Sequence, residues 1–222
     1  VENAYATAYL WREVLARDSL LSVLGKFMHL QVEEKKLYSP DGIKRYQTET
    51  LIFPRYHQLD VVRKLVAHTR AVGAGRNYLI QHSAGSGKTN TIAWLAHSLV
   101  SLHDHEDRNV VDAVLIVTDR IVVDRQLQDA VQAIQHQPGV IKVMDDKATS
   151  SDLADALAGN TKIIATTIHK FAQINKSDWM TAGPTAQKRF AILIDEAHSS
   201  TTGSYMSAVS QVLTETDVED GT

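Results

Sequence analysis

The chain has 222 residues, 44% hydrophobic and 22% charged, which is ordinary globular composition over a length of one or two domains. A net charge of −3 excludes a globally basic protein and leaves room only for local basic strips. The lack of cysteine excludes disulfides and thiolate metal sites and fits a reducing compartment; no apolar run approaches the roughly 18 residues of a membrane span.

The N-terminal stretch "VENAYATAYLWREV" has the pattern of neither a secretory signal nor a transit peptide, and it lacks an initiator Met. The chain is therefore expected to be a piece of a longer protein. Residues 3–31 read as helices. Leu20, Leu21, Leu24, Phe27 and Met28 fall on one face at helical spacing, with Asp18 or Ser19 as the expected cap. Pro40-Asp41-Gly42 is a turn signal, because proline fixes φ and glycine supplies positive φ, and it is expected to join two short strands. Leu59, Val62, Leu65, Val66 and Ala67 share a face and predict a helix over about 57–72.

From residue 76 the pattern changes. Short apolar runs at 77–81 (NYLIQ), 113–118 (AVLIVT), 140–143 (VIKV), 162–167 (KIIATT) and 190–195 (FAILID) alternate with amphipathic segments such as "TIAWLAHSLVSL" and "RQLQDAVQAI". Uninterrupted apolar strands separated by helices imply an α/β fold, doubly wound, with a parallel sheet buried on both faces. Ligands of such sheets sit at the carboxyl ends of the strands, so the residues just after each run carry the functional expectation.

After the first run comes "HSAGSGKTNT", residues 82–91. A glycine-rich turn between a strand and a helix aims backbone N–H groups at phosphate oxygens, and the helix N-terminus adds its positive end. Ser83, Ala84, Gly85, Ser86, Gly87, Lys88 and Thr89 are therefore expected to bind a nucleotide phosphate chain. Lys88 would reach the β- and γ-phosphates, and Thr89 would offer its hydroxyl to Mg²⁺. His82 stands where the strict pattern has its first glycine. After the last run, Asp195 and Glu196 sit at a strand end. Asp195 is expected to hold Mg²⁺, and Glu196 to orient and deprotonate the attacking water. The histidines and acids at 103–107 (HDHED) read as a solvated loop rather than a metal site. Trp11, Trp94 and Trp179 read as packing or partly exposed residues, and the acidic end "TETDVEDGT" as mobile.

Asp195-Glu196-Ala197-His198 spells D-E-A-H, and with "SAGSGKT" it resembles motifs II and I of superfamily 2 helicases and DNA translocases. That resemblance implies a RecA-like P-loop NTPase lobe using ATP and Mg²⁺, with Gln58, 30 residues before Lys88, reading the adenine edge and His198 coupling hydrolysis to movement. Phe53 or Tyr56 would stack nearby. More narrowly, "FPRYHQ", "HSAGSGKTNTIAWLAHSL", "VTDRIVVDRQL", "TTIHKF" and "ILIDEAHSS", in this order over about residues 53–200, resemble the motor region of the R (HsdR-type) subunit of type I restriction enzymes. By that resemblance Thr118, Arg120, Arg125, Thr167, His169 and Lys170 are candidate contacts to DNA phosphates, which hydroxyls and cations hold without reading sequence.

The resemblance further implies double-stranded DNA and the modification and specificity subunits as partners, no membrane, and a bacterial or archaeal cytoplasm. The expected organisation is a helical linker over 1–45, following a nuclease domain absent from this chain, and a first motor lobe over 46–222, with the second lobe absent. A strand-separating helicase of the same superfamily and a nucleotide-binding interaction module without turnover are the alternative functions. A small-molecule kinase fits less well, since it gives Gln58 and D-E-A-H no role.

Overall fold

Strand β3 (Ala113–Thr118) is buried at every position, and it runs parallel between β5 (Ile163–Thr167) and β6 (Phe190–Ile194). β4 (Ile141–Val143) pairs parallel with the far side of β5, giving the order β4-β5-β3-β6. The computed structural model describes residues 5, 7–39, 42–118, 125–134, 139–145, 147–168, 170 and 188–195.

Both faces of this sheet are covered, as the unbroken apolar runs require. On one face Val114, Ile116, Ile163 and Ala165 pack with α2 (Tyr56–Val72), α3 (Lys88–Val100) and α4 (Arg125–Ile134). On the other, Leu115, Val117 and Ile164 pack with Met144 and with Leu153, Ala156 and Leu157 of α5 (Ser150–Ala158). Successive β3 residues thus alternate between two cores. The helix α5 is started by a capping box: Asp152 N donates to Thr149 Oγ1 at 3.2 Å, and Thr149 N donates to the Asp152 carboxylate at 2.7 Å. At its other end Lys188 Nζ donates to the carbonyls of Leu157 and Ala158, where the negative end of the helix dipole favours a cation. Together these features make an α/β, RecA-like lobe.

The first apolar run departs from expectation. Residues 77–81 form no strand, and Leu79 is 90% exposed. Tyr78 explains the placement: its hydroxyl lies 2.7 Å from His68 Nδ1 of α2, with the two rings edge to face. The run is tethered to α2, and apolar content alone cannot bury a strand that lacks ladder partners.

The N-terminal region also differs. A π-helical turn (Leu10–Val14) and α1 (Arg17–Lys26) are helical, but β1 (His29–Ser39) begins where the reading continued a helix. It pairs antiparallel with β2 (Gly42–Ile52), in register from His29↔Ile52 to Ser39↔Gly42. The strands are long rather than short, and their connection, Pro40-Asp41, falls outside the described residues. The N-cap of α1 is Ala16 without a side-chain cap, whereas Ser19 donates back to the Val14 carbonyl. The buried face carries Val23 and Phe27; Leu21 and Leu24 stay about half exposed, because α3 lies on the other side. Trp94 ties this region to the lobe by donating its indole N–H to the Phe27 carbonyl at 2.8 Å.

Candidate nucleotide site

Helix α3 starts at Lys88 directly after two glycines with positive φ, Gly85 at 71° and Gly87 at 84°. A Cβ on Gly87 would collide with the side-chain nitrogen of Gln58, so both the backbone angle and the close approach demand glycine there. Ser83, Ala84 and Gly85 lie on the surface, Ser86 is buried, and Lys88 and Thr89 are half-buried. The loop is closed internally by Ser86 N donating to Ser83 O at 3.2 Å.

Strand β6 delivers Asp195 to this loop. Lys88 Nζ stands 2.9 Å from Asp195 Oδ1, so the lysine of the glycine-rich turn and the acid at the strand end form one site. Asp195 Oδ1 is buried and accepts no aligned hydrogen bond among the described residues, which makes the contact an ion pair of charges. Such a pair fits Mg–ATP. A phosphate oxygen can take the carboxylate's place against Lys88, and a divalent cation can take the ammonium's place against Asp195 and Thr89. Bound Mg²⁺ would supply charge neutralisation at the transferring phosphate. Glu196 and His198 lie outside the described residues.

The start of α2 grips the loop from the other side. Arg55 Nη1 donates to Gly85 O at 3.2 Å, His57 Nε2 to Ser86 O at 3.1 Å, and Gln58 Nε2 to Gly87 O at 2.8 Å. Gln58 is 3% exposed, and its Oε1 accepts from the Arg55 backbone N–H at 2.8 Å. Each end of its amide thus makes one hydrogen bond inside the protein, and each keeps a second hydrogen-bonding position. Phe53 and Tyr56 are both exposed near this turn. Sequence reasoning missed Arg55 and His57, whose only local signal is their place beside Gln58 at a helix start.

His82 fills the position of the missing glycine and has a structural job. Its Nδ1 lies 3.0 Å from Ser86 Oγ, its ring meets His57 edge to face at 5.7 Å, and its Nε2 is buried without a partner among the described residues. Burial, then the neighbouring His57 and the Lys88 charge, hold its pKa below the ordinary imidazole value. As pH falls, the unfolded chain protonates His82 first. Its contribution to stability is thus complete above about 6.5 and is lost as pH falls through the lower folded value. Thermal unfolding between about pH 8 and about pH 5 should fall more steeply for the natural chain than for His82→Asn; parallel curves would contradict this.

The candidate DNA contacts are less open than expected. Thr118 and Thr167, which end β3 and β5, are only 2% and 1% exposed. The Thr118 hydroxyl is buried without a partner among the described residues, and Thr167 Oγ1 faces the Lys170 N–H at 3.4 Å. Lys170 Nζ donates to the carbonyls of Met144 and Asp145 beside β4. Lys170, just after β5, thereby ties that strand end to the end of β4. Arg120, His169 and the side chain of Arg125 lie outside the described residues. In the 103–107 loop, Asp104 Oδ1 accepts from the backbone N–H of Glu106 and of Arg108, and this shapes the turn.

A two-faced parallel sheet, a lysine from a glycine-rich turn at a helix start, and a strand-end aspartate define a P-loop nucleotide hydrolase. The family profile described as SWI2/SNF2 ATPase matches residues 57–218, and the chain belongs to that family. It therefore carries a superfamily 2 helicase-like ATPase region. No curated protein and no solved structure matches the chain. Among the described residues no helix is long and apolar enough to cross a membrane.

Proposed function

We propose that this chain is the first motor lobe of an R subunit of a type I restriction enzyme, which hydrolyses ATP to pull double-stranded DNA. The observation that carries the ATPase part is the Lys88–Asp195 pair at 2.9 Å, which brings the two motifs together and so supports a shared site for Mg–ATP. The restriction part rests on the ordered motif set from "FPRYHQ" to "ILIDEAHSS". In this reading Lys88 binds the phosphates, Thr89 and Asp195 hold Mg²⁺, and Glu196 activates water. His198 couples the cycle to movement, and residues following β3 and β5 meet the DNA backbone. The partners are double-stranded DNA and the modification and specificity subunits, in a bacterial or archaeal cytoplasm. DNA cleavage belongs to a nuclease domain outside this chain.

The test is displacement of a triplex-forming strand from a duplex bearing the recognition site, by the intact restriction complex with ATP. Displacement without strand separation is the expected result. Unwinding of the duplex would favour the strand-separating helicase, and ATP binding without turnover or movement would favour the interaction module.

A further inference from the structure

Three consecutive carbonyls of the phosphate loop, those of Gly85, Ser86 and Gly87, are taken up by three residues at the start of α2, namely Arg55, His57 and Gln58. The order of the pairs follows the chain in both segments, so the contact is a continuous strip. We infer that Arg55 and His57 are positioning residues for the nucleotide's phosphates: they turn the loop's carbonyls toward α2 and so aim its N–H groups into the phosphate site. This rests on the ATPase reading and names the residues that preset its loop.

Every described peptide bond is trans, so each carbonyl points opposite to the N–H that follows it. With the Gly85 carbonyl held by Arg55, the Ser86 N–H points the other way and closes on Ser83 O. With the Ser86 and Gly87 carbonyls held by His57 and Gln58, the N–H groups of Gly87 and Lys88 are directed away from α2. A carbonyl oxygen turned toward a phosphate would repel it; an N–H turned toward it attracts it.

The clamp also has a back wall. His82 contacts Ser86 Oγ at 3.0 Å while His57 contacts the carbonyl of the same residue, so Ser86 is held between two imidazoles. His57 donates through Nε2, because a carbonyl can only accept. A glycine at position 82 would leave that side of Ser86 without a partner, which gives the departure from the strict motif a purpose.

The experiment compares His57→Ala, His57→Gln and Arg55→Ala with the natural chain in the intact protein. It reads binding of ATP, ADP and adenosine, the KM and kcat of ATP hydrolysis, and the melting temperature. Glutamine retains an amide N–H at about the reach of His57 Nε2. Loss of one such hydrogen bond is expected to weaken ATP and ADP binding about fivefold to tenfold, leaving adenosine binding and melting temperature unchanged. KM should rise by that factor with kcat changed less, and His57→Gln should restore most of the loss. Wild-type ATP binding in both alanine variants overturns the clamp alone, as does an equal loss of adenosine affinity. Absence of ATP binding in the natural protein overturns the clamp and the ATPase reading together.

Discussion

Replacing Lys88 with alanine is expected to lower ATP turnover by at least about a hundredfold, the cost of removing one preorganised charged donor from a developing phosphate charge. The effect should appear as lost binding as well as lost chemistry, since in the proposed site the same ammonium would meet the ground-state phosphates. Folding should change little. The Lys88 side chain is 36% exposed and its pair with Asp195 is partly solvated, so the ion pair itself contributes modestly to stability. Steady-state hydrolysis and equilibrium ATP binding, with thermal unfolding alongside, separate these effects. Turnover within a few fold of wild type would show that the ion pair with Asp195 is structural.

The second large effect is on stability. Trp94→Ala should destabilise the protein by about 3–5 kcal/mol, the range for emptying a large buried aromatic site. Trp94 is 1% exposed and its ring lies 5.7 Å from Phe27 and 6.1 Å from His29. Its loss would also leave the Phe27 carbonyl without its donor, adding a desolvation cost. The indole spans α3, the end of α1 and the start of β1, so the damage should spread to the N-terminal region. Urea unfolding measures it. Trp94→Phe, which keeps most of the volume and loses the N–H, should fall between the two. A loss below about 1 kcal/mol for alanine would mean that α1 is not packed on α3 as described.

These residues also show what a sequence yields and what it withholds. Four of the five apolar runs became the sheet, because residues such as Val114–Val117 are buried on both faces and leave no polar interruption to misread. The remaining run, 77–81, has an apolar centre bounded by Asn77 and Gln81 and is held to α2 by Tyr78 and His68, a contact between residues ten apart that no periodicity announces. Residues 29–31 read as the end of a helix because Phe27 and Met28 prolong an apolar spacing. Pairing with Thr50–Ile52, some twenty residues later, made them strand instead.

The site divides in the same way. That Lys88 and Asp195 stand together was legible, because the glycine-rich turn and the acid after the last apolar run both fall at strand ends of one parallel sheet. The use of Gln58 was only half legible: its importance showed, but its two hydrogen bonds run to Arg55 and Gly87 within the protein. Arg55 and His57 were silent. Polar residues at a helix start look alike in sequence, and only the approach of α2 to the loop gives them carbonyls to hold. The burial of Thr118 and Thr167 was also not legible, since a hydroxyl at a strand end looks the same in sequence whether it is open or closed in.

We propose above that this chain is part of an ATP-driven, DNA-dependent motor. The most direct measurement is ATP hydrolysis by the intact protein in its complex, with and without double-stranded DNA carrying its site, beside Lys88→Ala and Glu196→Gln. Hydrolysis is expected to be stimulated by DNA and lost in both variants. Hydrolysis indifferent to DNA, or unchanged by either substitution, would contradict the proposal.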